Sequence, residues 1–259
     1  MDAAVNTGHD ELLERARAQY GKGRLADAAA LCERVPAGSS SHPGALSLLG
    51  TIAHQTGEHE RAVQLLRRSV ALEPEQPVSF NVLGLALAKL GDDDAAGASF
   101  ERAIALDPSP RLYMNLGALR RRQGRAEDAA AAYERAALGL ERAVGLQPRD
   151  AGLWRELGDA RYAAERFADA VAAYGEATRC DPTQARAWYA AGCAEKARAE
   201  YAAAATCFRR TLAIAPAWLE ARHNLGAVLF ELGQVDAALE EFRRAAAGAA
   251  GASEMPQAM

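Results

Sequence analysis

The chain has 259 residues, half of them hydrophobic and only 6% aromatic, with a net charge of -4. That balance lacks the strong basic excess of a nucleic-acid binder, and no run of about eighteen apolar residues is present to span a membrane. Alanine supplies much of the apolar fraction, which suits close helix packing and an all-α fold.

The polar start, Met1 to Asp10, has no basic stretch ahead of an apolar core, so no secretory leader is expected and residues 1–8 read as a flexible N-terminus. Cys32, Cys180, Cys193 and Cys207 form no C-x-x-C pair and fall inside helical patterns. They are expected as buried free thiols of a cytoplasmic protein.

From there the chain repeats itself. Small residues recur at Ala16, Gly50, Gly84, Gly117, Gly158, Gly192 and Gly226, with gaps of 34, 34, 33, 41, 34 and 34 residues. Twelve positions after each comes an alanine: Ala28, Ala62, Ala96, Ala129, Ala170, Ala204 and Ala238. Four further on stands a larger group: Cys32, Leu66, Phe100, Tyr133, Tyr174, Phe208 and Phe242. Prolines punctuate the ends at Pro74, Pro108, Pro148, Pro182 and Pro216. The small residue and the alanine belong where two antiparallel helices cross, and the larger column fills the space beside them. Gly23, Gly57, Gly91, Gly124 and Gly233 suit the left-handed residue that ends a first helix. Glu165 and Ala199 replace that glycine in the fifth and sixth units, whose turns are therefore expected to be less tightly capped. Proline closes each second helix because it cannot continue one.

Seven hairpins follow, over about 9–42, 43–76, 77–109, 110–150, 151–184, 185–218 and 219–247, with 248–259 as a disordered tail. The fourth contains a near-duplicate heptad, Glu134-Arg-Ala-Ala-Leu-Gly-Leu140 followed by Glu141-Arg-Ala-Val-Gly-Leu-Gln147. Seven residues add close to two helical turns, about 10 Å, with only about 20° of drift. The second helix of that hairpin should run past its neighbours, although Gly139 and Gly145 would also permit a break. The last hairpin has no polar closing helix after it, so self-association through the C-terminal end is a second expectation.

Trp154-Arg155-Glu156-Leu157-Gly158, Asn115-Leu116-Gly117, Asn224-Leu225-Gly226 and Leu106-Asp107-Pro108 make these columns resemble the tetratricopeptide repeat family, over nearly the whole chain. The resemblance implies one right-handed superhelical solenoid of antiparallel helix hairpins, first helices lining the concave side. It implies little about a partner, because packing residues define the family. The arrangement by which some relatives hold a chaperone's C-terminal carboxylate is absent: around Asn115 the flanking helices offer Asn81 with Leu85, and Gly152 with Glu156.

No phosphate loop, nucleophile elbow or metal-spaced cluster appears, so neither an enzyme nor a bound metal or cofactor is expected. The concave face is the candidate site. Counting from the small-residue column, hairpins four to seven place Arg111, Met114, Asn115, Arg121, Arg122, Arg155, Tyr162, Arg186, Tyr189, Lys196 and Asn224 there. The earlier hairpins offer Arg17, Tyr20, Leu48, His54, Asn81, Val82, Leu85 and Lys89. Hairpins four to six thus present six cations against two anions, Glu156 and Asp159, interleaved with tyrosines. Arginine and tyrosine often anchor partners, and asparagine can hold an extended backbone. The expected ligand is an acidic or carboxylate-bearing peptide or protein segment, bound by an adaptor. The alternatives are a self-assembling scaffold and a partner-recruiting subunit of a glycosyl- or sulfotransferase-type enzyme.

Overall fold

A computed structural model describes the backbone of residues 2–253 and the side chains of 8–247. Every regular element among the described residues is a helix. Two compact units divide the chain at Ala132–Tyr133. The first holds α1 (Asp2–Gly21), α2 (Leu25–Glu33), α3 (His42–Gln55), α4 (His59–Leu72), α5 (Pro77–Leu90), α6 (Asp93–Leu106) and α7 (Pro110–Arg122). The boundary falls inside α8 (Ala126–Leu146). The second unit continues with α9 (Ala151–Ala163), α10 (Phe167–Cys180), α11 (Ala185–Ala197), α12 (Tyr201–Ile214), α13 (Leu219–Glu231) and α14 (Val235–Ser253). Helical backbone extends into both segments set aside as flexible, from Asp2 and as far as Ser253; the remainder of the tail lies outside the described residues.

Within each unit an odd-numbered helix packs on the next even one, and that one on the following hairpin. Adjacent first helices also touch: α1 with α3, α3 with α5, α5 with α7, and α9 with α11. One face of each unit is therefore built from first helices alone.

The packing columns explain the period. A β-carbon added to Gly84 would sit 2.6 Å from Phe100 Cε1, and one on Gly192 would sit 2.7 Å from Phe208 Cε1. Phe100 and Phe208 are buried, so neither ring has room to retreat. At the second hairpin a branched aliphatic takes the ring's place, with Leu66 Cγ 2.5 Å from the position a Gly50 β-carbon would occupy. The first hairpin keeps the sum of volumes differently: Ala16 replaces the glycine and the smaller Cys32 the ring, and both are buried.

The helix-ending column is occupied by left-handed residues throughout. Gly23, Gly57, Gly91, Gly124 and Gly233 have φ between +74° and +85°, while Glu165 and Ala199 take φ of 60° and 59°. Their hydrogen bonds match those of the glycines. Glu165 N donates to Tyr162 O at 2.9 Å and Ala199 N to Lys196 O at 3.0 Å, against 3.0 Å for Gly124 N to Arg121 O. The expectation of a looser cap is thus corrected: these caps are fully bonded, and the missing glycine shows as backbone strain instead.

The duplicated heptad makes α8 one unbroken helix of 21 residues, where α4, α6, α10 and α12 each have 14. Its added turns do not simply project, because Leu140 and Val144 are buried. Glu134 and Glu141, the equivalent first residues of the two copies, accept from Arg166 Nη1 at 3.0 Å and Arg161 Nη2 at 2.9 Å.

A six-residue fastening also recurs in the second unit. Trp154 Nε1 donates to Pro148 O at 2.9 Å, Trp188 Nε1 to Pro182 O at 3.0 Å, and Arg222 Nη2 to Pro216 O at 2.8 Å. Each ties the start of a first helix to the proline that closes the hairpin before it.

Candidate binding site

In the first unit the first-helix face encloses a cleft of about 1030 Å³. Its walls come from α1, α3, α5 and the turns between hairpins, with Arg111 of α7 at one edge. Arg17, Tyr20, Leu48, His54, Asn81, Val82 and Leu85 all line it; Lys89 does not. Counting along the repeat finds first-helix positions because the 34-residue period returns the same face of the helix each time.

The floor is apolar, with Leu13 and Val82 buried beneath the half-buried Leu48 and Leu85. Val78 stands 64% exposed at the rim. Asn81 is only 9% exposed. Its Oδ1 accepts from Asn115 Nδ2 at 2.8 Å, which couples α5 to α7. Burial, His59 and Lys89 hold the His54 imidazole below its ordinary pKa, and the two histidine rings lie 5.1 Å apart. No group of three or more metal-ligating side chains occurs among the described residues.

Five cleft residues fall outside the helices. Glu73, Glu75 and Gln76 come from the α4–α5 turn, and Ser40 and Ser41 from the segment before α3. Glu73 accepts from Gln76 and Asp10 from Ser41. Gln76 belongs to a buried hydroxyl cluster, in which Ser79 Oγ donates to Ser47 Oγ at 2.7 Å and Ser69 Oγ to Pro43 O at 2.8 Å. The Glu-Pro-Glu-Gln-Pro stretch at 73–77 was the available signal.

The remaining predicted residues have other surroundings. Arg111 and Arg121 are exposed and Met114 is half-buried on α7. Arg122 turns back along the first unit. Its guanidinium bonds Asp93 and donates to Ala88 O at 2.9 Å, so it clamps the α5–α6 turn.

In the second unit, Arg155 Nη1 meets Asp159 Oδ2 at 2.5 Å and Nη2 meets Glu156 Oε1 at 3.6 Å. Asp159 also accepts from Tyr174 OH at 2.9 Å. Burial raises the Asp159 pKa even against Tyr174 and Arg155, which both pull it down. Tyr162 is 36% exposed, edge-on to Phe167.

Tyr189, Lys196 and Asn224 come together. Asn224 Oδ1 accepts from Lys196 Nζ at 2.8 Å, and its Nδ2 donates to Tyr189 OH at 2.9 Å. The Tyr189 ring stacks on Trp218, centroids 4.8 Å apart, and burial pushes its hydroxyl up to about 12. Arg186 is exposed on the same helix as Tyr189.

All four cysteines are unpaired. Burial raises the Cys32, Cys193 and Cys207 thiols, which leaves little nucleophilic thiolate. No described helix is long and apolar enough to cross a membrane.

Comparison with known proteins agrees with this architecture. One family model described as a tetratricopeptide repeat matches residues 13–77, 81–142 and 133–185, and a second with the same description matches 218–249. No curated protein matches the sequence. Among solved structures, the anaphase-promoting-complex hetero-tetramer Cut9-Hcn1 aligns with a TM-score of 0.66 at 18% identity, over 85% of this chain and 43% of that one. PilW, a type IV pilus biogenesis factor, gives 0.64 at 16% identity, over 80% and 93%. PilF of Pseudomonas aeruginosa gives 0.57 at 18% identity, over 77% and 88%. At these identities the likeness is one of fold.

Proposed function

From the premise that the chain belongs to the tetratricopeptide repeat family, we propose that it is a cytoplasmic, non-catalytic scaffold that holds an extended segment of another protein in the cleft of its first unit. The family's fold is in general a protein-interaction scaffold. The cleft itself supports the placement: a volume of about 1030 Å³, floored by Leu48, Val82 and Leu85 with Asn81 set into its wall. That is within reach of a ligand-sized site, and its mix of apolar floor and polar edge suits a peptide.

The acidic ligand expected for the first helices of hairpins four to six has less support. Arg155 is met by Asp159 and Glu156, and Arg122 is met by Asp93. An arriving carboxylate would have to displace those partners.

The test is selection of binders from a library of short random peptides on the intact chain. Selected peptides should lose at least about tenfold in affinity for a Leu48→Glu, Leu85→Glu variant of unchanged helical CD, because the added charges spoil the apolar floor. They should be indifferent to Arg155→Glu. Equal binding to wild type and the floor variant would rule out the cleft.

One observation favours a second reading, self-association through α14. Leu239 is 46% exposed, whereas Ala205 and Val63 at the same repeat position are 1% and 7% exposed beneath the helices that follow them. A sedimentation mass that rises with concentration and returns to one chain on Leu239→Arg would support it; a strict monomer would end it.

A further inference from the structure

The charges around the cleft are not those of the expected acidic ligand. Asp10 and Glu14 stand on α1, and Glu73 and Glu75 on the α4–α5 turn. α3 touches both α1 and α5, so one carboxylate pair comes from the helix on one side of α3 and the other from the turn that leads into the helix on the other side. Against them the lining has two cations, Arg17 and Arg111. Arg17 is already paired with Glu14 at 2.8 Å, and burial with the neighbouring His59 and Lys89 disfavours the charged form of His54.

A second observation concerns Asn81. It is nine-tenths buried in the cleft wall. Its carbonyl is taken by Asn115, while its Nδ2 has no partner among the described residues. The Nδ2 atom itself is not shut off from solvent, so it is open to a carbonyl brought to it, and an extended main chain supplies carbonyls at regular intervals.

Resting on the cleft as the binding site, we propose that its occupant is a cationic extended segment of a partner protein, with Lys or Arg side chains on either side of an apolar one. The apolar side chain rests on Leu48 and Leu85. The flanking cations reach the carboxylates of α1 and of the α4–α5 turn, and a main-chain carbonyl accepts from Asn81 Nδ2. Glu75 is the most available anion, exposed and without a partner among the described residues. Arranged charges of this kind select a partner and speed its arrival more than they tighten it.

The same random peptide library tests the charge. Peptides selected on wild type should carry net positive charge. Replacing the Lys and Arg of the strongest by Glu should weaken it at least about tenfold, and added salt should weaken the parent peptide. A Glu14→Lys, Glu73→Lys, Glu75→Lys variant should select acidic peptides instead. All three side chains are exposed, so its melting curve should follow that of wild type; the Gln versions of the same positions serve as a neutral control. Asn81→Ala should weaken cationic and acidic selections alike. Neutral or acidic peptides from wild type that are lost on Leu48→Glu, Leu85→Glu would overturn the charge assignment and leave the cleft as the site. Peptides kept by that floor variant would overturn both.

Discussion

The two units use one set of packing columns and leave their first-helix faces in opposite conditions. In the second unit the polar groups answer one another: Arg155 with Asp159, and Lys196 with Asn224 and Tyr189. In the first, Asn81 Nδ2 has no partner among the described residues, and the carboxylates of the lining outnumber its cations. A repeat therefore settles where side chains point without settling whether they are satisfied. Ligand capacity follows satisfaction, since a group already paired must give up its partner before it can take a new one.

The largest effects should be those common to both regions. Gly84→Ala and Gly192→Ala each force a β-carbon against a buried ring, and each should cost about 1–3 kcal/mol in urea unfolding. A much smaller cost in one would break the claim of shared packing. Next come the asparagines, which should separate the regions. Asn224→Ala removes two hydrogen bonds and should cost about 1–2 kcal/mol, while Asn81→Ala removes one, costs about 1 kcal/mol or less, and weakens peptide binding. Glu165→Gly and Ala199→Gly should each raise stability, by about 0.5–1 kcal/mol, as left-handed strain is relieved.

The smallest effects are in pH, and they run in opposite directions. His54 has a lowered pKa when folded, so its contribution is complete above the ordinary value of 6.5 and is lost as pH falls through the lowered one. Asp159 has a raised pKa when folded, so its contribution is present below the ordinary 3.8 and is lost as pH rises through the raised value. Mild acid should therefore weaken the first unit through His54 and favour the second through Asp159. His54→Gln and Asp159→Asn should each flatten one of these trends in melting curves recorded across that range.

The hairpins were legible because close helix crossings demand small residues at fixed intervals, and Gly50, Gly84, Gly192 and Gly226 each face the larger side chain sixteen positions later. The all-α class followed from the same columns, as did the added turns of α8. The first-helix positions of the cleft were legible for the same reason. What the period could not reveal was pairing. Arg122 finds Asp93 from 29 residues away, a choice made by side-chain reach and not by helical phase. Half of the acidic rim escaped because Glu73 and Glu75 lie in a turn, where counting along helices does not apply. The cap at Glu165 was misjudged for a related reason: sequence shows that glycine is missing, but not that the hairpin can hold an ordinary residue in the same conformation.

The long helix α8 has a consequence for how such a chain can change. Its two copies of the heptad keep Leu140 and Val144 inward, and they give Arg161 and Arg166 a carboxylate each. A loss or gain of seven residues at this place preserves the phase of everything that follows, whereas a gain of one would swing the downstream face by about 100°. Insertions and deletions here are thus sorted by arithmetic: sizes near a whole number of turns, such as about seven, eleven or eighteen residues, alter mainly length, and other sizes must be absorbed by remaking a face.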